Sequence, residues 1–429
     1  LSTGLLTATT EGYPIVAIGA NLSQNMLQRD SHQSLNNVKL LETVCKSAVE
    51  IQATENIPEI LANAFRLAET PNPGACFISI PQNILLQNTS ESPLKYMPPI
   101  RLGSAPSDLI SKAANIIMQS KKPALLIGMT ASHKRDSDEI NALLKHFPLP
   151  VVCTFQAAGL VSKENLHCFA GRVGLFRNEP GDILLDQADL IITLGFKPVE
   201  YDPETWNPKK KPIIHLDYVP CNIQRNYQPM IEVTGDVVAN LANLNNKLKK
   251  TTPSLWFTEI VKNSQTCLED DIQKASISKH KNIKPLQFIH SLRNIVDEQT
   301  QICCDVGSVY MWMARYFFSH HPRQLFFSNG QQTLGVALPM AIGCRLANEK
   351  STILSISGDG GFLYSATELE TAVRENLKII HFVWSDGYYD MVKQQQVLKY
   401  GRESGVTLGP LNLIDFASAF GALGLVLEK

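Results

Sequence analysis

The sequence predicts an α/β protein built from three doubly wound parallel-sheet domains, and three observations lead there. Short apolar runs alternate with longer amphipathic ones along most of the chain, the pattern of strands and crossover helices in parallel sheets. Many of the apolar runs end in Gly or Asp turns, as in IITLG, IIHLD, ICCDVG and SISGDG, and open parallel sheets bind ligands beyond the carboxyl ends of their strands. The chain has 429 residues, more than one hydrophobic core organises, so two or three domains of about 100 to 200 residues each are expected.

In the first segment, residues 1–88, PIVAIGA (14–20) and ACFISIP (75–81) read as strands, with IPEILANAFRLAE (57–69) a helix between them. Residues 83–105, including ESPLKYMPPIRLGSAP, are proline-rich and without a period, which marks a linker. The middle segment, 104–250, repeats the alternation: strands at PALLIGM (123–129), PVVCTF (150–155), DLIITLG (189–195) and PIIHLD (212–217), and a helix through NALLKHF. The polar stretch TTPSLWFTEIVKNSQTCLEDDIQKASISKHKNIKP reads as a helix and a second connector. The last segment, 282–429, has strands at QICCDVG (301–307), TILSISGDG (352–360) and KIIHFVWSD (378–386), with a helix through ATELETAVREN.

Composition narrows the function. Hydrophobic residues at 44% and charged residues at 18% describe an ordinary globular protein. Lys plus Arg number 39 and Asp plus Glu 40, so no global field draws the chain to nucleic acid or an anionic membrane. The nine cysteines are scattered apart from Cys303 and Cys304, with no zinc-like spacing, and this suits a reducing cytosol. The longest nearly uncharged runs, such as TLGVALPMAIGC, are too short to span a bilayer. Without a secretory leader and without a starting Met, the sequence reads as part of a cytoplasmic protein.

The chemistry concentrates in SGDGGFLYSATELETAVRENLKIIHFVWSDGYYDMVKQQQ, residues 357–396. STILSIS reads as a buried strand, Gly358 to Gly361 as its carboxyl-end turn, and KIIHFVW as the next strand, so Asp359 and Asp386 fall on one edge of the sheet. Two carboxylates beside bare glycine N–H groups suit a divalent cation together with a diphosphate, because the cation neutralises charges that would otherwise repel. A lone Gly-Asp-Gly is usually a plain tight turn. The second acidic turn, one strand-helix unit later, argues for more.

The Gly-Asp-Gly turn with a second acidic turn 27 residues on resembles the diphosphate and metal motif of thiamin diphosphate enzymes. GDGGFLYSATELETAVRE, VWSDGYYDMV, SNGQQTLGVALPMAIG, GRVGLFRNEPGD and EYDPETWN are similar to the catabolic, FAD-independent acetolactate synthases, and the likeness runs from Leu1 to Lys429. The resemblance implies three thiamin-type domains, the first lacking its amino-terminal part: pyrimidine-binding, central and diphosphate-binding. It implies decarboxylation of pyruvate on thiamin diphosphate and transfer of the remaining two-carbon unit to a second pyruvate, giving 2-acetolactate. Two other readings stand beside it: a catalytically silent cofactor-binding homologue, and a flavin-dependent acetohydroxyacid synthase.

Roles then follow by position. The resemblance makes Asp359 and Asp386 side-chain ligands of Mg²⁺ and Tyr388 a carbonyl ligand, with Gly307, Ser308, Gly358, Gly360 and Gly361 around the diphosphate. The Gln332 carbonyl takes the aminopyrimidine N–H, Leu334 is the wedge that bends the cofactor, and Met391 packs on the pyrimidine. Gln395, nine residues after Asp386, stands where FAD-dependent relatives carry a Trp favouring 2-ketobutyrate, which fits a pyruvate acceptor. Gln33 of HQS is the polar group presented to the reacting centre across a subunit interface. Val309 replaces a His common in relatives, and no flavin is expected. Because each cofactor in the family lies between two subunits, a homodimer or homotetramer follows.

Weaker expectations concern the remaining polar residues. His320 and His321, before Pro322, read as a solvated turn, and Arg172 and Arg177 either line a pocket mouth or form structural ion pairs. In the family a Glu protonates the cofactor's ring nitrogen. It lies upstream of the position matched by Leu1, and none of Glu11, Glu42 or Glu50 matches its motif. The family's closing segment likewise falls beyond Lys429.

Overall fold

A computed structural model of the protein describes residues 1–27, 29–177, 179–249, 252–277 and 282–427. The chain forms two compact units, Leu1–Gly103 and Ser104–Lys429.

In the first unit, β1 (Ile15–Asn21), β2 (Ser47–Glu50) and β3 (Ala75–Pro81) make a parallel sheet in the order β1-β3-β2. The helix Ile57–Glu69 has Pro58 in its first turn with Glu59, and Arg66 in its last, an arrangement that suits both the missing proline N–H and the helix dipole. Strand β2, SAVE, is half-buried along its length; it carries no apolar run and is not visible in the pattern of the sequence. Residues 88–106 hold no helix or strand, as their prolines predict.

The second unit carries two parallel sheets. The larger consists of β4 (Pro123–Ile127), β5 (Val151–Thr154), β6 (Phe169–Val173), β7 (Leu190–Leu194), β8 (Ile213–Asp217) and β9 (Ile231–Thr234), in the order β6-β5-β4-β7-β8-β9. Strands β4 to β8 are buried at every position, so all but β6, which carries Arg172, read as mainly apolar runs rather than as alternating ones. The smaller has β10 (Gln301–Cys304), β11 (Leu325–Phe326), β12 (Ile353–Gly358) and β13 (Ile379–Trp384), in the order β11-β10-β12-β13. The chain winds outward from β10 on one side and from β12 on the other. The switch point of this sheet therefore lies between those two strands.

Charged bonds lock the two sheets into one unit. Arg172 of β6 is buried and donates from Nη1 to the carbonyls of Ala314 (2.9 Å) and Phe317 (2.8 Å), and from Nη2 to Ser319 Oγ (3.1 Å). Those groups end the helix Ser308–Tyr316, so Arg172 serves as a helix terminator rather than as a pocket residue or an ion pair. Arg315 donates to buried Glu179 at 2.7 and 2.8 Å. Arg177 pairs with Asp186 at the surface.

His320 and His321 lead into a turn closed by Gln324 N on His321 O (3.3 Å), but they are half-buried rather than fully solvated, and both line a cavity of about 460 Å³ with Lys163, Arg293 and Glu298. Burial pushes His320 down to about 4, with neighbouring cations adding to the shift.

A second histidine gives a pH prediction. His381 of β13 lies between Ser355 Oγ (2.8 Å from Nδ1) and Ser357 Oγ (3.0 Å from Nε2), and burial pushes its pKa down to about 4 from 6.5. The folded ring is neutral where an unfolded histidine takes up a proton, so stability falls as pH drops from 6.5 towards 4 and is fully present above 6.5. We expect this site to cost about 3 kcal/mol across that window. His381→Asn should flatten the acid limb of a urea-denaturation series by roughly that amount. Parallel wild-type and mutant slopes would show the ring to be solvated.

Candidate functional site

The site grows out of strand register. Because β12 and β13 pair with Gly358 opposite Trp384, the chain leaves both strands at the same height, and Asp359 and Asp386 follow on one edge. What reads in sequence as a simple turn is the first turn of a short helix, Asp359–Leu363, preceded by Gly358 in extended conformation. Asp359 is buried. Its Oδ1 accepts from Gly360 N (2.8 Å), while Oδ2 accepts from Ser385 Oγ (3.1 Å), Asp386 N (3.1 Å) and Gly387 N (2.8 Å). The acid of the first turn thus holds the backbone of the second. Gly387, at φ 79°, makes the sharp return that aims its N–H at the carboxylate.

Asp386 is exposed, and its Oδ1 accepts from Tyr388 N at 3.0 Å. Partial burial raises its pKa, and the nearby Asp359 and Asp390 carboxylates raise it further. Those like charges are what a divalent cation would relieve. Beyond Tyr388 the turn is clamped from outside: Tyr389 N donates to Val406 O and Leu408 N to Gly387 O, each at 2.8 Å.

The carboxyl end of β10 closes the other side of the switch point. Gly307 precedes the helix Ser308–Tyr316, and Ser308 Oγ donates to Asp390 Oδ2 at 2.5 Å, where Gln394 Nε2 also donates at 2.7 Å. With its hydroxyl engaged, Ser308 has its backbone N–H to offer an anion. Val309 is buried in the apolar core. A Cβ on Gly307 or Gly358 would meet nothing within 4 Å, whereas one on Gly360 would lie 2.7 Å from the Tyr389 ring and one on Gly361 3.1 Å from Asp305 Oδ2. Two open backbone positions and two crowded ones describe a floor that a phosphate can approach closely.

Residues 329–335 form a loop ahead of the helix Ala337–Ala347. Gln332 has φ 50°, a left-handed backbone that costs a non-glycine roughly 1–2 kcal/mol, and its Nε2 donates to Asn329 Oδ1 at 3.4 Å. Leu334 is half-buried and belongs to none of the core clusters of the described residues. Met391 and Gln395 lie one turn apart on the helix Asp390–Tyr400, so they share a face, and Gln395 is exposed. Gln33 belongs to the first unit, where it is exposed with φ 61°.

Two acids were not singled out from the sequence, Asp305 and Asp390, although each stands inside a quoted stretch, QICCDVG and VWSDGYYDMV. Residue 178 of GRVGLFRNEPGD and residues 278–281 of the second connector lie outside the described residues. Among the described residues no group of three or more His, Cys, Asp or Glu could hold a metal. A cation at Asp359 and Asp386 therefore needs further oxygens from the backbone and from a ligand, which suits a hard ion such as Mg²⁺ arriving with phosphates.

Comparison with known proteins gives the family. Residues 305–429 match the family model described as "Thiamine pyrophosphate enzyme, C-terminal TPP binding domain", and residues 110–244 match its "central domain". The chain is 42% identical over 430 residues to an acetolactate synthase of Bacillus subtilis (strain 168), covering 100% of this chain and 75% of the relative. It is 39% identical to a catabolic acetolactate synthase of Raoultella terrigena, covering 100% of this chain and 77% of the relative. It is 30% identical to a probable acetolactate synthase large subunit of Methanocaldococcus jannaschii, over 98% of this chain and 73% of the relative.

Proposed function

This chain belongs to the acetolactate synthase family of thiamin diphosphate-dependent enzymes, and on that premise we propose that the carboxyl edge of its four-stranded sheet holds the cofactor's diphosphate through Mg²⁺. Its reaction is the family's: pyruvate is decarboxylated, and the two-carbon unit is joined to a second pyruvate to give 2-acetolactate. The observation that carries the site assignment is the Asp359 carboxylate, which holds the turn of Asp386 by three hydrogen bonds while Oδ1 keeps acceptor capacity.

When bound, thiamin diphosphate supplies the electron sink that accepts the electron pair left as CO₂ departs. The protein's residues do the rest. Asp359, Asp386 and the Tyr388 carbonyl would be the metal's protein ligands. The amides at Gly307, Ser308 and Gly361 would receive the diphosphate, with Gly358 and Gly360 lining its approach while the Gly360 N–H stays on Asp359. The Gln332 carbonyl, in its left-handed loop, would accept from the aminopyrimidine, Leu334 would be the wedge that bends the cofactor, and Met391 would pack on the pyrimidine. Gln395 lines the acceptor side, and Gln33 supplies a polar group to the reacting centre from a neighbouring subunit.

We read the enzyme as flavin-free, on the state of the central sheet. Its switch point lies between β4 and β7, the place where a doubly wound sheet takes a nucleotide. Here it is filled. Glu200, buried, accepts from Met129 N (2.8 Å), Thr154 Oγ1 (2.6 Å) and Lys197 N (2.9 Å), and so occupies the amides a phosphate would use. A Cβ on Gly128 would lie 2.4 Å from its Oε2. Self-association as a homodimer or homotetramer is supported by the apolar side chains exposed around β13 and the helix after it, Ile380, Val397, Leu398 and Tyr400. A cytoplasmic setting, without nucleic-acid or membrane partners, fits nine free cysteines and a net charge of −1; no helix of the described residues is long and apolar enough to cross a membrane.

The test is a mixed-substrate assay on the full-length protein. With Mg²⁺ and thiamin diphosphate, pyruvate alone should yield 2-acetolactate, a β-keto acid read out as acetoin after acid decarboxylation. Gln395→Trp should then raise 2-ketobutyrate use relative to pyruvate by about 10-fold, the scale of one side-chain contact in an acceptor pocket. A product ratio that stays put would remove residue 395 from that pocket.

A further inference from the structure

We infer that Asp305 is the residue that fixes the pyrimidine-facing loop to the diphosphate floor, and so sets the bend imposed on the cofactor. This rests on the cofactor reading above but concerns a residue to which that reading gives no role. Asp305 is buried at the carboxyl end of β10, one residue beyond its hydrogen-bonded partner strand position. Its Oδ1 accepts from its neighbour Val306 N (2.8 Å) and, across 30 residues, from Gly335 N (2.9 Å). The backbone amides of Val336 and Ala337 oppose the upward push of burial on the carboxylate's pKa. They open the helix Ala337–Ala347, whose positive end favours an anion. The other oxygen lies beneath Gly361, 3.1 Å from where a Cβ would stand.

One carboxylate therefore touches both halves of the site: the floor at Gly361 and the loop that carries Gln332 and Leu334. The loop needs such an anchor. Gln332 is left-handed at φ 50° and Gly335 at φ 80°, a backbone that relaxes unless its surroundings over-determine it. Gly335 is also pressed against its neighbours, since a Cβ there would lie 2.7 Å from Tyr364 Cβ. The bonds from Val306 and Gly335 both fall on Oδ1, so Asn can keep an acceptor there; it loses the charge that faces the helix N-terminus and puts an NH₂ in place of the oxygen beneath Gly361. Asp305 contacts no cofactor ligand position through the metal. It is a positioning residue.

The experiment separates the two halves in the full-length protein. Thiamin diphosphate needs both floor and loop, whereas inorganic pyrophosphate with Mg²⁺ needs the floor alone. Asp305→Asn should weaken thiamin diphosphate about 10- to 100-fold, the worth of one or two bonds to a charged group. Magnesium pyrophosphate, measured by competition, should move less than about threefold. Equal loss of both, or loss of neither, overturns the inference. Failure of the wild type itself to bind thiamin diphosphate would instead overturn the reading beneath it. Should Asp305→Asn not fold, hydrogen exchange on the unaltered protein decides the matter. Slow exchange of the Gly335 amide, slowed further by thiamin diphosphate but not by pyrophosphate, supports the anchor, and exchange at the rate of an open loop overturns it.

Discussion

Asp359→Ala should abolish magnesium-dependent binding of thiamin diphosphate, lowering its affinity at least about 100-fold. The expected size comes from two losses at once. A carboxylate ligand to the metal disappears, and with it the counter-charge that lets two diphosphate oxygens approach Asp386. The second turn is also released, because Ser385 Oγ, Asp386 N and Gly387 N lose the acceptor that positions them. Since buried donors left without partners cost about 1–3 kcal/mol, the variant should be less stable as well. Asp359→Asn largely separates the effects, since it removes the charge but can keep its oxygen for the donors of the second turn, with its NH₂ then facing Gly360 N. Titration of Mg²⁺ and cofactor, followed by tryptophan fluorescence, measures both variants. An Asp359→Ala protein that is folded and binds with wild-type affinity would place the metal elsewhere.

The legible parts of this molecule share a physical cause. Strands β4, β7, β8, β10 and β12 are buried at nearly every position, so they appear in the sequence as mainly apolar runs with only a few polar residues among them. The acidic turns are legible because they follow such runs directly. Strand β6 escaped because Arg172 interrupts FAGRV, and β2 and β9 escaped because half-buried strands keep polar positions. The apolar pattern also yields three sheets but not the two-unit grouping, since the bonds that merge the central and last sheets join residues 136 to 147 positions apart. Asp305 and Asp390 hide for the same reason: their partners, Gly335 and Ser308, stand 30 and 82 residues away, a separation no local pattern encodes. The roles of Gln332 and Leu334 came from resemblance alone. Neither a left-handed glutamine nor a half-buried leucine can be read from a local sequence pattern.

Arg172→Met should cost about 3–5 kcal/mol of stability, the largest loss expected from any single change away from the site. The sign is not obvious at first, because replacing a buried charge by an apolar side chain of similar volume is often neutral when its partner charge leaves too. Here the partners stay. The carbonyls of Ala314 and Phe317 and the hydroxyl of Ser319 remain buried beside β6, and two of them are end carbonyls of a helix with no further intrahelical donor. Burial pushes the Arg172 guanidinium down to about 10, which leaves it protonated at neutral pH, so the native bonds are charge-assisted throughout the working range. The helix it terminates begins at Ser308, in the diphosphate floor. The loss should therefore reach cofactor affinity as well as the urea midpoint, with Arg172→Lys recovering part of both through its single ammonium. A Met variant within about 1 kcal/mol of wild type would mean that water or a shifted side chain satisfies those carbonyls, and that the two sheets are held together by apolar packing alone.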